Sequence, residues 1–195
     1  MKQIAVKSYG APEFCEGEIL RYAGAKSADE NLSALISECI NEAKDVFSYK
    51  VCYTELDVTV TETECNFGIF KVDSKHLAKN LAGCKRAILF AATVGIGIDR
   101  LIIKYGRLSP AKALIFQAIG AERIESLCDL FTADIVKEKN LCPRFSPGYG
   151  DLSIEVQKEI FKILDTTRKI GLSLNDSMLM SPTKSVTAFI GIDEE

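Results

Sequence analysis

The sequence predicts a mixed fold of helices and strands, α+β in class, and three observations carry that expectation. Strand character stands at three separate places. Ser48 to Val60 alternates β-branched and aromatic residues with polar ones, Arg86 to Val94 is apolar almost throughout, and Ser185 to Ile192 alternates again near the end. Between them lie helical patterns. One follows Ser109-Pro110 with a stripe of Phe116, Gly120, Ile124, Leu127, Phe131 and Ile135, and one follows Asp151 with Val156, Ile160, Ile163 and Leu164. Finally, strands and helices do not alternate as a run of β–α units, which argues against a doubly wound parallel sheet.

At 195 residues, 47% hydrophobic and 26% charged, the chain is expected to fold as a single domain over residues 1–195 with a sizeable core. A net charge of −3 supplies no broad electrostatic reason to bind nucleic acid or an anionic membrane. No apolar run approaches the ~20 residues of a membrane span, and the opening MKQIAVKSYGAPEF lacks a signal-peptide core, so a cytoplasmic location is expected. The seven cysteines are scattered, odd in number and never in C-x-x-C spacing, so they read as small core residues of a reducing compartment. His76 is the single histidine, which excludes a multi-histidine metal site, and no metal is expected.

Taken in order, PEFCEGEILRYAG (residues 12–24) predicts a short helix stopped by Gly24. Ser27 to Glu30 opens a better one, with Leu32, Leu35, Ile36, Ile40 and Ala43 at helical spacing. Phe67 to Val72 is the expected partner of the Ser48–Val60 strand, and residues 1–70 read as framework. Asp73-Ser74 caps KHLAKNLAG, which Gly83 closes, with His76 on its exposed side. The strand ending at Val94 then runs through Gly95-Ile96-Gly97 into the helix IDRLIIKYG, an order of elements shared with phosphate-binding turns. The third glycine and a Gly-Lys-Ser/Thr are absent, which disfavours a dinucleotide site, although Thr93 and Gly95 remain candidates to line a cleft.

Pro110 sits where its missing donor costs little. Gly120, which costs about 1 kcal/mol against alanine inside a helix, predicts a close backbone contact there. Glu125 lies at the edge of the apolar stripe and Glu122 nearer solvent. A half-buried Glu125 needs a partner, either a ligand amine or Arg144; the alternative is a surface salt bridge towards Arg123 or Lys137.

The densest stretch is Cys142-Pro143-Arg144-Phe145-Ser146-Pro147-Gly148-Tyr149-Gly150. Prolines that fix φ and glycines that admit φ > 0 make it a rigid loop between two helices. Arg144 offers a permanently charged planar fork suited to a carboxylate or phosphate, or else caps the preceding helix. Asp151 and Ser153 are expected to cap the helix SIEVQKEIFKILD that follows.

Four ordered blocks carry a resemblance. They are Arg144-x-x-Pro147-Gly148-Tyr149, Phe161-x-x-Leu164-Asp165, Ile170-Gly171-x-x-Leu174-x-x-Ser177-x-x-Met180-x-Pro182, and Ser185-Val186. Together they closely resemble the S-adenosylmethionine-binding activation domain of cobalamin-dependent methionine synthase. The earlier segment SKHLAKNLAGCKRAILFAATVGIGIDRLI and the helix bearing Glu125 resemble its small stand-alone form, so the likeness spans roughly residues 71–192.

The resemblance implies a twisted antiparallel sheet flanked by helices, with S-adenosylmethionine in a shallow groove. It implies that Arg144 takes the methionyl carboxylate and Glu125 the ammonium or sulfonium. Tyr149, Phe145, Ser146 and Gly148 would then shape the nucleoside site. It further implies a stand-alone activation subunit supporting, in trans, the reductive remethylation of cob(II)alamin to methylcobalamin on a partner methionine synthase. A flavodoxin-like protein is the implied electron donor. No catalytic acid–base set is expected. The alternatives are an accessory protein of another corrinoid methyltransferase, or a binding module that has lost the ligand. The chain departs from the family where Gly150 replaces the last proline of Pro-Gly-Tyr-Pro, which is expected to loosen the exit of the loop.

Overall fold

The computed structural model describes residues 3–136 and 140–193. In chain order the N-terminal elements are β1 (Ala5–Ser8), α1 (Glu16–Tyr22), α2 (Glu30–Ala43), β2 (Lys50–Asp57), β3 (Thr59–Val60), β4 (Glu64–Asn66), β5 (Lys71–Asp73) and α3 (Lys75–Asn80). They are followed by β6 (Arg86–Thr93), α4 (Gly97–Leu108), α5 (Pro110–Val136), β7 (Asn140–Leu141), α6 (Val156–Leu164), α7 (Thr166–Ile170), β8 (Ser173–Leu174), β9 (Met180–Ser181) and β10 (Ser185–Asp193).

The apolar run at Arg86–Val94 becomes the central strand. β6 pairs antiparallel with β2 on one side and β10 on the other, in a five-stranded sheet ordered β1-β2-β6-β10-β7. Because side chains alternate along a strand, a centre strand covered on both faces must be apolar at every position. Ile88, Phe90 and Ala92 face α1, α2, α4 and α5, meeting Ile19, Ile36, Phe116, Leu127 and Phe131. Ala87, Leu89 and Ala91 face the other way, towards Leu77 of α3, Ile160 and Leu164 of α6, and Phe189. The expected antiparallel sheet flanked by helices is therefore present, with helices on both faces.

Two local expectations hold. Ser74 caps α3 by accepting from Leu77 at 3.0 Å, and α2 opens within the expected Ser27–Glu30 stretch, where Asp29 proves to be the cap, accepting from the Leu32 amide at 2.8 Å. Others are corrected. Phe67–Val72 does not pair with β2, whose two edges are taken by β1 and β6. Instead β3, β4 and β5 form their own small sheet, and Phe67 stacks on Phe189 with ring centroids 5.1 Å apart. Five cysteines are buried, Cys142 is half-buried and Cys15 is exposed, so the core reading fails at Cys15. Burial pushes the Cys52 thiol up to about 12.

The Gly-x-Gly segment is a packing junction. A Cβ at Gly97 would lie 2.2 Å from the Val46 carbonyl oxygen. The first turn of α4 is occupied by the chain's own acid, since the buried Asp99 carboxylate accepts from the Thr183 amide at 2.8 Å. Gly97→Ala is expected to destabilise the fold by about 1–3 kcal/mol, as overpacking does, read as a lower urea midpoint at unchanged slope. The contact foreseen at Gly120 is made by a side chain: the stem of Lys184 would stand 2.9 Å from a Cβ there.

Glu122 and Arg123 are the largest departure. Both were expected near solvent, yet they are 2% and 0% exposed. Arg123 pairs with Glu122 and donates to the carbonyls of Pro12 and Glu13, and its guanidinium lies 3.9 Å from the Phe14 ring centroid. Glu122 accepts in turn from Ser126 at 2.8 Å. The cluster fastens the segment before α1 onto α5.

Asp151 caps α3 rather than α6. Its carboxylate accepts from the Ser74 hydroxyl and from the amides of Lys75 at 2.8 Å and His76 at 3.2 Å. These bonds, the Ser74 hydroxyl foremost, hold its carboxyl below the ordinary value. A depressed folded value means the tie is complete above the unfolded value and is lost as pH falls through the folded one. A carboxyl carbon titration by NMR should show Asp151 protonating at lower pH than an unperturbed aspartate, and Asp151→Asn should remove that acid-dependent loss.

Gly150, beside it, has φ +57, which proline cannot adopt, and a Cβ there would meet His76 Nδ1 at 2.2 Å. The loop exit is thus held by Asp151 and His76 where looseness was expected.

Candidate functional site

The outer edge of β10 is covered only in part. β7 pairs with its last two residues, and Cys142 donates to the Gly191 carbonyl at 2.9 Å. Phe145 exchanges both backbone hydrogen bonds with Phe189, each 2.9 Å. The loop then turns away, and among the described residues no strand pairs with the outer edge of β10 at Ser185–Thr187. A groove of ≈ 580 Å³ lies there.

The rigid loop foreseen from its prolines and glycines forms one wall. Gly148, at φ +92, donates to Leu152 at 2.8 Å, and Tyr149 donates to Ser146 at 3.2 Å, closing a tight turn. Arg144, Phe145, Ser146 and Tyr149 from this loop line the groove together with Glu125 of α5. Gly148 shapes the turn without lining it. Tyr149 is 69% exposed and stands at the rim.

Electrostatics centre on Arg144. Its Nη2 lies 3.0 Å from Glu125 and 3.1 Å from Asp129, which sit one helical turn apart on α5. Its Nη1 is buried and, among the described residues, has no hydrogen-bond partner. Of the choices left open for Glu125, the structure shows Arg144; Arg123 is buried with Glu122, and Lys137 lies outside the described residues. Burial pushes the Cys128 thiol, between the two carboxylates in sequence, up to about 12, with Arg144 opposing the shift.

Sequence reasoning missed Asp129, although its i, i+4 spacing from Glu125 was a usable signal. It also missed Gln157 from α6 and Thr187 from β10, which enter the lining with Met180 and Val186. Nothing local marked them, because helix and strand meet there only through packing. Thr93 and Gly95 stand outside the lining. Thr93 Oγ1 accepts from Ser185 at 2.8 Å and from the Gly95 amide at 3.2 Å, behind the groove wall. His76 is also outside it, 3.8 Å from Asp151.

Among the described residues, no group of three or more His, Cys, Asp or Glu could hold a metal ion, and no helix is long and apolar enough to cross a membrane.

Residues 127–195 match the family model described as "Vitamin B12 dependent methionine synthase, activation domain". The whole fold is similar to the crystal structure of the MetH reactivation domain bound to AdoHcy. That likeness has a TM-score of 0.73 and covers 97% of this chain and 78% of that one, at 11% sequence identity. No curated protein matches. The chain therefore has the fold of the MetH reactivation domain, and its residues 127–195 match the activation-domain family of vitamin B12 dependent methionine synthase.

Proposed function

We propose that this protein binds S-adenosylmethionine in the groove beside β10. We propose further that it acts in trans as the activation module of a cobalamin-dependent methionine synthase. The observation that carries the reading is the buried, unpartnered Nη1 of Arg144 in a groove that also presents Glu125. A fixed cation with a spare donor calls for an anionic oxygen, and a carboxylate beside it suits a neighbouring cation. A methionyl group carries both charges on one carbon.

The residues fit that ligand. Arg144 holds the carboxylate. Glu125, 45% exposed at its side chain and paired with Arg144 through one oxygen, takes the ammonium or sulfonium, with Asp129 as its helical neighbour. Phe145, Ser146 and Tyr149 flank the nucleoside, and Gly148 keeps the turn narrow. When bound, S-adenosylmethionine supplies a methyl group already activated on a sulfonium sulfur, for delivery to the cobalamin of the partner. This chain binds and orients; no proton need be moved by it, and a flavodoxin-like protein supplies the electron.

Calorimetric titration of S-adenosylmethionine into the purified protein tests the ligand. The second half is tested by following cob(II)alamin to methylcobalamin spectrally, using a methionine synthase stripped of its own activation domain, with a one-electron reductant. Saturable binding and methylcobalamin formation that depends on this protein are expected. Absence of binding by the folded protein overturns the ligand. Binding with no methylcobalamin on methionine synthase, but formation on another corrinoid methyltransferase, overturns the partner.

A further inference from the structure

Two buried polar side chains of the groove are left unused by the charges at Arg144. Gln157, in the first turn of α6, is 4% exposed with Oε1 unpartnered, and Thr187, on β10, is 2% exposed with Oγ1 unpartnered. Both line the groove. Leaving such an atom buried and unpaired costs about 1–3 kcal/mol, and folded proteins keep few of them. Among the described residues five side-chain atoms are in this state, and three of them, Arg144 Nη1 included, belong to this one groove. That concentration points to a ligand that completes them.

Their chemistry narrows what completes them. Thr187 projects to the same side of β10 as Phe189, the side against which α6 packs, so Gln157 and Thr187 meet the groove from adjoining elements. Gln157 Oε1 only accepts, so it needs an N–H or O–H donor; the Thr187 hydroxyl can donate. Phe145, Val186 and Met180 supply apolar wall beside them. A flat heteroaromatic ring with an amino group next to a ring nitrogen meets all three demands, and the glutamine amide is a recurrent partner of that edge in adenine.

We propose that Gln157 and Thr187 read the amino edge of a 6-aminopurine in this groove and reject 6-oxopurines; this rests on the S-adenosylmethionine reading above. An inosyl ligand turns a carbonyl oxygen towards Gln157 Oε1, setting acceptor against acceptor, whereas the Thr187 hydroxyl can accept from its N1–H, so Gln157 carries the rejection.

The test is calorimetric titration of S-adenosylhomocysteine and S-inosylhomocysteine into wild type, Gln157→Leu and Thr187→Val. Wild type is expected to favour the adenosyl compound by about 10- to 100-fold, the range one lost and one repelled hydrogen bond produces. Gln157→Leu is expected to weaken adenosyl binding about tenfold and bring the two ligands within about threefold of each other, while Thr187→Val weakens both ligands and keeps the preference. Without ligand both variants should melt no lower than wild type, because an unpaired buried polar group has been replaced by an apolar one. Equal wild-type affinity for the two compounds, a Gln157→Leu variant that keeps the full preference, or a Thr187→Val variant that binds both as tightly as wild type, overturns this assignment while the ligand reading stands. Failure of folded wild type to bind either compound overturns both.

Discussion

Arg123→Ala is expected to lower the unfolding free energy by about 3–5 kcal/mol, the cost of breaking a buried ion pair from one side. The guanidinium is fully buried, and its loss strands the Glu122 carboxylate together with the Pro12 and Glu13 carbonyls. Glu122 would keep the Ser126 hydroxyl and a long bond from the Cys15 amide at 3.4 Å, too little for a charge out of water. The Phe14 ring also loses the cation lying on its face. Urea unfolding should show the loss as a shifted midpoint. Arg123→Lys should recover only part of it, because one ammonium cannot serve a carboxylate and two carbonyls that the fork reaches together. A loss below about 1 kcal/mol would mean that the segment before α1 is not fastened to α5 by this residue.

Arg144→Ala is expected to behave in the opposite way, with little change in stability and a large loss of ligand. Its partners Glu125 and Asp129 are 45% and 75% exposed at their side chains, and ion pairs of that kind contribute about 0–1 kcal/mol. Against the carboxylate of the proposed ligand the same guanidinium would make charge-assisted bonds from a half-buried position. Its removal should therefore weaken S-adenosylmethionine binding roughly 30- to 1000-fold, or about 2–4 kcal/mol. Titration calorimetry with a parallel thermal melt reads both quantities. Arg144→Lys should fall between, having the charge without the fork. Unchanged affinity in the alanine variant would remove Arg144 from the site. A melting temperature that collapses with the affinity would make it a structural tie instead.

The legible part of the fold was local. The α5 stripe, the caps at Asp29 and Ser74, and the two-faced apolar strand β6 all announce themselves within a few residues, where helical or strand periodicity acts directly. The misreadings share a cause. Asp151 stands at the right spacing to cap the helix after it, yet caps α3, whose Ser74 is 77 residues away in sequence. Glu122 sits where a helical wheel puts a surface residue, across α5 from the stripe of Phe116, Leu127 and Phe131, yet the chain leading into α1 folds over it and over its partner Arg123. Gly95 and Gly97 stand in the order of a phosphate turn, but the close approach of Val46 and the acid at Asp99 account for them.

The candidate site divides along the same line. The sequence by itself determined the rigid loop, its fixed cation and the carboxylate at Glu125, because φ preferences, permanent charge and helical spacing are properties of residues and near neighbours. Only the tertiary structure decided that Arg144 meets Glu125 and Asp129, that Phe145 docks on Phe189, and that no strand among the described residues pairs with the edge of β10 beyond it. It alone brought Gln157 and Thr187 into one groove, with Oε1 and Oγ1 unmatched among the described residues. Periodicity says which face of a helix or strand is buried. Which distant face covers it, and which polar groups that burial leaves unpaired, is settled by the packing of layers whose residues are far apart in the chain.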